Sequence, residues 1–147
     1  MVTTVGTENQ QSDLLRNLML LERDAIAAYD STLEKIDNPD HRARIEEFRR
    51  DHDDHIRALS ELGRSIGVPL PEEGDIKEWL TTGKVALANL FGDDAVIGAM
   101  KTNEDDTVSA YENALSNAVI DATWRPVLEK GLADERRHRA WMEQAAA

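Results

Sequence analysis

Cysteine is absent from the 147-residue sequence. This absence excludes disulfides, thiolate zinc sites, iron–sulfur clusters and thiol redox chemistry. Apolar runs of about 20 residues are absent too, so no membrane-spanning helix is predicted. The N-terminus lacks the basic start and apolar centre of a secretory signal. There is no glycine-rich phosphate loop and no His-Glu-x-x-His motif, which counts against phosphate binding and metalloprotease chemistry. Together these absences favour a cytoplasmic protein.

Positive charge is scarce: 17 Lys and Arg stand against 29 Asp and Glu, and the formal net charge is −12. Duplex nucleic acid is a poor partner for such a surface, because binding requires lysine and arginine to replace condensed counterions. An acidic surface raises the local concentration of cations, but it also simply keeps a protein soluble. The charge therefore excludes nucleic acid as a partner and selects no function.

Four stretches carry apolar residues at the helical period of 3.6, while the alternation typical of strands is scarce. The sequence thus predicts one all-α domain over 1–147, with residues 1–10 as a disordered tail. Short turns near Asn38 and within 117–121 predict that helices one and two, and helices three and four, form antiparallel pairs.

A long crossover, residues 67–93, separates the two pairs. It contains an amphipathic stretch, which predicts a short helix that covers a face of the bundle; a dimer contact is the alternative. The apolar residues of this stretch are Ile76, Trp79, Leu80, Val85, Leu87, Leu90 and Phe91.

Six ionisable residues interrupt the apolar stripes of the four helices. They are Glu22, His52, His55, Glu104, Glu135 and His138. The second half of the chain repeats the first, since each of these residues in the first half matches one that lies 82 or 83 positions later. At about 1.5 Å per residue, Glu22, His55, Glu104 and His138 lie at a similar depth, roughly 23–25 Å from the turns. His52 and Glu135 precede the two histidines by three residues, so each shares a helix face with one of them. Burying unpaired carboxylates costs several kcal/mol, so the cluster predicts cations that neutralise it, with protonation or water as the alternative.

This pattern resembles the ferritin-like di-iron carboxylate proteins, which use a Glu from each of two helices and Glu-x-x-His from each of the other two. Glu22, Glu104, Glu135 and His138 match that pattern, and His55 matches its second histidine. The nearest resemblance is to small bacterial ferritin-like or rubrerythrin-like bundles without the cysteine-bound iron of rubrerythrins. The resemblance implies a ferritin-like four-helix bundle that binds two transition-metal ions, iron first, with manganese or zinc possible.

The same resemblance implies an oxidoreductase that acts on Fe(II) with O₂ or peroxide, in iron handling or oxidative-stress defence. Ferroxidase, peroxide-scavenging and oxidase activities all remain open. Because subunits of storage cages are somewhat longer, a homodimer is expected. The rival hypothesis is a non-enzymatic helical-bundle dimer with a degenerate metal site, acting as a structural or stress-related binding module.

One position departs from the family pattern. His52 stands where the family has its second bridging glutamate, and a histidine cannot bridge two metals as a carboxylate does. This departure predicts a weaker second metal position, a different metal or a single-metal site. Asp51, four residues before His55, is an alternative carboxylate, although its counterpart Asp134 is interpreted as a surface acid.

Two tyrosines lie on the same stripes as the glutamates. Tyr29 and Tyr111 follow Glu22 and Glu104 by seven residues, or two helical turns. Either they are core residues with a satisfied hydroxyl, or they bond to a metal ligand or supply an electron.

Overall fold

The computed structural model describes residues 3–71, 87 and 89–147. It contains four long helices, α1 (Gln11–Lys35), α2 (Pro39–Ser65), α3 (Asp93–Leu115) and α4 (Arg125–Ala145), and a 3-10 turn (Ala122–Trp124) that leads into α4. These described ranges contain no strand. Over the described residues, the predicted all-α class with four long helices is confirmed. None of the described helices combines the length and the apolar character that crossing a membrane requires.

The starts of α2 and α4 follow from local sequence. Asn38 caps α2, because its side-chain oxygen accepts hydrogen bonds from the backbone N–H groups of Asp40 and His41. Pro39 at the first helical position has no N–H that would lack a partner. Asp121 caps the 3-10 turn before α4 in the same way, by accepting from the N–H of Thr123.

Helices in contact run antiparallel. The main contacts join α1 to α2 and α3 to α4, and the two hairpins meet through α1–α3 and α2–α4. Along the first hairpin, Arg49 pairs with Asp30 and, further on, Ser60 contacts Met19. The numbering thus rises on one helix as it falls on the other, as the short turn predicts.

Helices α2 and α3 run in the same direction. Asp93, at the start of α3, accepts hydrogen bonds from the backbone N–H groups of Asp37 and Asn38 at the start of α2. The end of α2, at Ser65, lies at the opposite end of the bundle. The predicted crossover helix falls mostly outside the described residues; of its apolar residues, Leu87 is buried and Phe91 is exposed.

The apolar core consists of two clusters with a polar layer between them. One cluster contains Leu14, Leu18 and Leu128, and the other contains Phe48, Met100 and Met142. The six ionisable residues of the sequence stripes occupy the layer between, and none of them is more than 5% exposed. The bundle therefore surrounds these six side chains with apolar packing on both sides.

The N-terminal residues differ from the expected disordered tail. From residue 3 onward they pack against α3, and Val5 is buried. The side chain of Asn113 donates a hydrogen bond to the carbonyl of Val5, and that of Asn117 donates to the carbonyl of Gly6. Gly6 has a φ of +96°, and a Cβ there would come within 2.5 Å of the Ala110 carbonyl oxygen. This close approach requires glycine.

Candidate metal centre

The six ionisable residues meet in two overlapping groups. In each group, four ligand atoms lie within 4.8 Å of one another. The first group, called the Glu22 cluster, consists of Glu22, His52, His55 and Glu135; the second, called the Glu104 cluster, consists of His52, Glu104, Glu135 and His138. Because His52 and Glu135 belong to both clusters, ions held by the two clusters would be neighbours with shared ligands.

Aspartates from the opposite hairpin fix two of the histidine rings. His55 Nε2 donates to Asp134 Oδ2 at 2.8 Å, and His138 Nε2 donates to Asp51 Oδ2 at 2.8 Å. These bonds direct Nδ1 of each ring towards the glutamates, as when His55 Nδ1 lies 3.1 Å from Glu22 Oε1. An aspartate behind a ligating histidine sets its tautomer and raises its basicity.

The interpretation of Asp134 as a surface acid was therefore wrong, since it is only 8% exposed and contacts His55. Asp51, the alternative to the missing bridging carboxylate, lies behind His138 and belongs to neither cluster.

Both tyrosines bond across the two hairpins. The Tyr29 hydroxyl donates to Glu104 Oε1 at 2.6 Å, and the Tyr111 hydroxyl donates to Glu22 Oε1 at 2.6 Å. Burial and the neighbouring glutamates raise the pKa of each tyrosine well above its ordinary value, so the hydroxyls stay protonated donors. Each tyrosine thus orients one glutamate of the opposite hairpin.

His52 presents its two ring nitrogens to different clusters. Nδ1 lies 2.6 Å from Glu22 Oε2, and Nε2 lies 3.4 Å from Glu104 Oε1. Within the described residues, Glu135 is the one carboxylate that belongs to both clusters. It is therefore the carboxylate that ions held by the two clusters would share.

Opposite charges stabilise the layer when it holds no metal. Burial alone would raise the pKa of Glu22, but the nearby His52 and His55 lower it to about 2. Burial would lower the pKa of His55, but Glu22 and hydrogen bonds to carboxylates raise it to about 12. Burial would also lower the pKa of His138, but its hydrogen bond to Asp51 raises it to about 10. Protonated histidines thus neutralise the buried glutamates, which was the alternative that the sequence left open.

Two buried atoms of this layer form no hydrogen bond. Glu135 Oε1 is fully enclosed and has only ion-pair contacts, with His55 Nδ1 at 3.3 Å and His52 Nδ1 at 3.4 Å. His138 Nδ1 is fully enclosed as well. The nearest carboxylate oxygen to His138 Nδ1 is Glu135 Oε2 at 3.6 Å, which is too long for a hydrogen bond. Leaving a buried polar atom unpaired costs about 1–3 kcal/mol. A transition-metal ion that accepts imidazole nitrogen and carboxylate oxygen would satisfy both atoms, so the residues present fit such an ion.

A family model described as "Domain of unknown function (DUF2383)" matches residues 10–117, well over half of the chain. The chain belongs to the DUF2383 family. Searches of the curated proteins and of the solved structures gave no match. The matched residues include α1, α2 and α3, with Glu22, His52, His55 and Glu104. Glu135 and His138 of this DUF2383 chain lie beyond the matched range.

Thr107 of this DUF2383 member was not predicted from the sequence as a residue of the site. Its hydroxyl oxygen lies 2.9 Å from Glu104 Oε2 and 3.0 Å from Glu135 Oε2, and it is buried. Its position three residues after Glu104 places it on the same helix face, which is a signal the sequence did offer. The corresponding residue of the first half is Ala25, so the contact has no counterpart there.

Proposed function

We propose that this DUF2383 chain is a ferritin-like metalloprotein that binds two transition-metal ions, iron foremost, in its Glu22 and Glu104 clusters. Its function would be that of an oxidoreductase acting on Fe(II) with O₂ or peroxide. The observation that carries the proposal is the pair of buried atoms that form no hydrogen bond, Glu135 Oε1 and His138 Nδ1, in a layer of imidazole and carboxylate groups.

The helix directions support the ferritin-like part of the proposal. Two antiparallel hairpins whose inner helices α2 and α3 run in the same direction require one long connection. A four-helix bundle with one such crossover has ferritin-like connectivity. The paired contacts between α1 and α3, and between α2 and α4, place one side of the site on each hairpin.

The donor atoms support the choice of metal. Imidazole nitrogen and carboxylate oxygen suit iron and manganese, and zinc also accepts them. When bound, iron would supply a reversible one-electron redox couple and coordination positions open to a small oxidant. Iron is preferred because the proposed reaction requires that couple.

The chain's own residues would bind and orient. Asp51 and Asp134 hold the two outer histidines so that Nδ1 faces the ions. Tyr29 and Tyr111 each donate to Oε1 of one outer glutamate and so fix the orientation of its carboxylate. Binding would also displace protons from the histidines, because a ligating imidazole must be neutral.

Counting metals tests the proposal. Protein expressed in iron-replete medium and purified without chelator should contain about two ions per chain by elemental mass spectrometry, one for each four-ligand cluster. His138→Ala should lose at least the ion of the Glu104 cluster. His41→Ala is the matched control, because His41 lies outside both clusters and pairs with Asp93. Protein that stays metal-free, even after anaerobic Fe(II) titration, would contradict metal binding.

A second candidate is a bundle without metal chemistry. The observation that favours it is the set of close imidazolium–carboxylate pairs, such as His52 with Glu22, which fill the layer without an ion. Thermal melting separates the two candidates: a metal at 100 times its Kd stabilises the folded state by about 2.7 kcal/mol. A melting temperature that is the same with chelator and with Fe(II) or Mn(II) would favour the second candidate.

Turnover tests the oxidoreductase part separately. Metal-loaded wild-type protein should consume O₂ or peroxide when Fe(II) is supplied, and Glu104→Ala should lose the ion of the Glu104 cluster together with this consumption. A variant that retained the full metal content would contradict the assignment of Glu104 as a ligand. Two bound ions without any turnover would leave a metal-binding protein of another function.

A further inference from the structure

A cavity of about 250 Å³ lies between α2 and α4, on the His55 side of the metal centre. Its wall is mainly apolar and includes Ala58, Pro126 and Val127. The rings of His55 and Tyr111 form its inner end. An occupant would therefore touch one residue of the Glu22 cluster and the tyrosine that bonds to Glu22, without reaching the ions.

Aromatic side chains pack at the corresponding place in the other half of the molecule. The ring of Phe48 stacks on His138 at a centroid distance of 4.2 Å, and Trp141 packs edge-on against Phe48 at 5.6 Å. The repeat places Gly131 at the position of Phe48 and Ala58 at that of Trp141, each at an offset of 83 residues. The cavity thus lies beside Ala58, at the position where the other half of the chain carries Trp141.

Gly131 also shapes the inner end of the cavity. A Cβ at this position would lie 2.5 Å from Cε1 of Tyr111, which real contacts do not allow. The absence of a side chain lets the Tyr111 ring lie directly against α4. The ring then forms part of the cavity wall while its hydroxyl reaches Glu22.

The polar groups around the cavity already have partners. The Tyr111 hydroxyl donates to Glu22, and the two ring nitrogens of His55 contact Glu22 and Asp134. The Lys130 ammonium at the rim donates to Asp134 at 2.7 Å. A ligand that needs hydrogen bonds would lose its bonds to water on entering and find no free polar atom on His55 or Tyr111. Such a cost disfavours polar ligands.

We propose that this cavity binds a small uncharged molecule that carries one aromatic ring. An apolar cavity of about 150 Å³ stays dry and binds benzene, so the larger volume here accommodates one substituted ring. Asp54 at the rim is exposed and pairs with Arg57, so it adds no charge to the interior. The cavity's role as a substrate site beside the metal centre rests on the proposed function, whereas binding itself does not.

The test uses 4-fluorotoluene as the probe and ¹⁹F NMR of the full-length, metal-free protein. Wild-type protein should broaden and shift the probe resonance in a saturable way. Ala58→Trp introduces the residue found at the matching position of the other half and fills the cavity. It should weaken binding by at least about tenfold, because the indole and the probe cannot share one close-packed volume. The control is Ala43→Trp on an exposed face of α2, which should bind like wild type.

A second measurement needs no variant, which matters if Ala58→Trp does not fold. Nuclear Overhauser contacts in the wild-type protein should join the probe to the Ala58 methyl group and the Tyr111 ring. Contacts only to other residues, no saturable binding, or unchanged binding in folded Ala58→Trp would each overturn the proposal. Because the probe experiment uses metal-free protein, a negative result there would not contradict metal binding. A negative metal count would likewise not contradict binding of the probe in the cavity.

Discussion

Each hairpin contributes a glutamate, a tyrosine, an outer histidine and an aspartate to the site, and these groups bond across the bundle. Glu22 of the first hairpin receives the hydroxyl of Tyr111, and Glu104 of the second receives that of Tyr29. Each outer histidine likewise bonds to an aspartate of the opposite hairpin. Neither hairpin completes its half of the site alone. The matched bonds therefore have two effects: they orient the candidate ligand residues, and they join the two hairpins.

The two halves also differ, because some matching positions of the repeat carry different residues. In the alignment of the two halves, His52 corresponds to Glu135 and Phe48 corresponds to Gly131. The first difference leaves one carboxylate shared by both clusters, and the second leaves a cavity beside one histidine and packed rings beside the other. Two ions in this site would therefore have unequal surroundings, which variants can test.

The largest effect is expected from Glu135→Ala. Glu135 belongs to both clusters, so its loss leaves three ligand residues at each and should remove both ions. Glu22→Ala removes a ligand from one cluster and should leave about one ion per chain, since the other cluster keeps four ligands. Elemental mass spectrometry of both variants, purified without chelator, measures the difference. Equal metal contents in the two variants would contradict the sharing of Glu135.

His52→Glu restores symmetry at the shared position. In the metal-free protein it should cost about 3–5 kcal/mol, because it removes the charge that pairs with Glu22 and adds another buried carboxylate. With Fe(II) or Mn(II) the extra carboxylate should tighten the second ion. Thermal melting with chelator and with metal measures both effects.

An exchange variant serves as the control for that substitution. The double variant His52→Glu, Glu135→His keeps the composition and swaps the two halves. It should recover most of the metal-free stability, because the numbers of buried histidines and carboxylates return to those of the wild-type chain. A double variant as unstable as His52→Glu would show that the two positions are not equivalent.

Helical periodicity predicts those features of the site that depend on one helix at a time. It places four ligand residues at one depth from the turns and two more on the same helix faces, and the structure brings all six together. The burial of Asp134 was not predictable in this way, because it depends on His55 from a helix of the other hairpin. The docking of Gly6 against α3 similarly depends on a contact between residues more than 100 positions apart.

The cavity illustrates the same limit. The repeat alone aligns Gly131 with Phe48, but it does not show that Tyr111 lies against that glycine. Nor does it show the two buried atoms that form no hydrogen bond, since hydrogen-bond satisfaction depends on the relative placement of all four helices. Sequence therefore predicts which residues meet, whereas packing decides which of them remain unsatisfied.

Raising the pH should strengthen metal binding and weaken the metal-free fold. The pKa values of His55 and His138 are raised to about 12 and about 10, so both rings are protonated at neutral pH without metal. Their contribution to metal-free stability is complete below about 6.5 and declines as the pH rises towards those values. A metal must displace these protons, so its affinity should rise by up to about tenfold per pH unit for each proton released.

Calorimetric titration with Mn(II) in two buffers of different ionisation enthalpy measures this proton release. Including His52, whose pKa is also raised, about three protons should leave when both clusters fill. The cluster that contains His138 should fill at the lower pH, because its proton is the less tightly held. Affinity that does not change between pH 6 and 8 would contradict this account of the metal-free site.

The smallest effects are expected from the two aspartates behind the histidines. Asp51→Asn should weaken the ion beside His138, and Asp134→Asn the ion beside His55, each by about 10–100-fold, the usual cost of losing such a partner. The substitutions are well matched, because each aspartate also bonds to a cationic side chain of α4. Competition with a chromophoric chelator measures the two affinities, and Asp30→Asn, which removes an exposed partner of Arg49, is the control.

The two aspartates have different surroundings, because Asp134 lies on the side of the cavity and Asp51 lies beside packed rings. A larger loss of metal affinity in Asp134→Asn than in Asp51→Asn would show that the packed rings also hold His138 in place. If both variants weakened the same ion, the assignment of one aspartate to each cluster would be wrong.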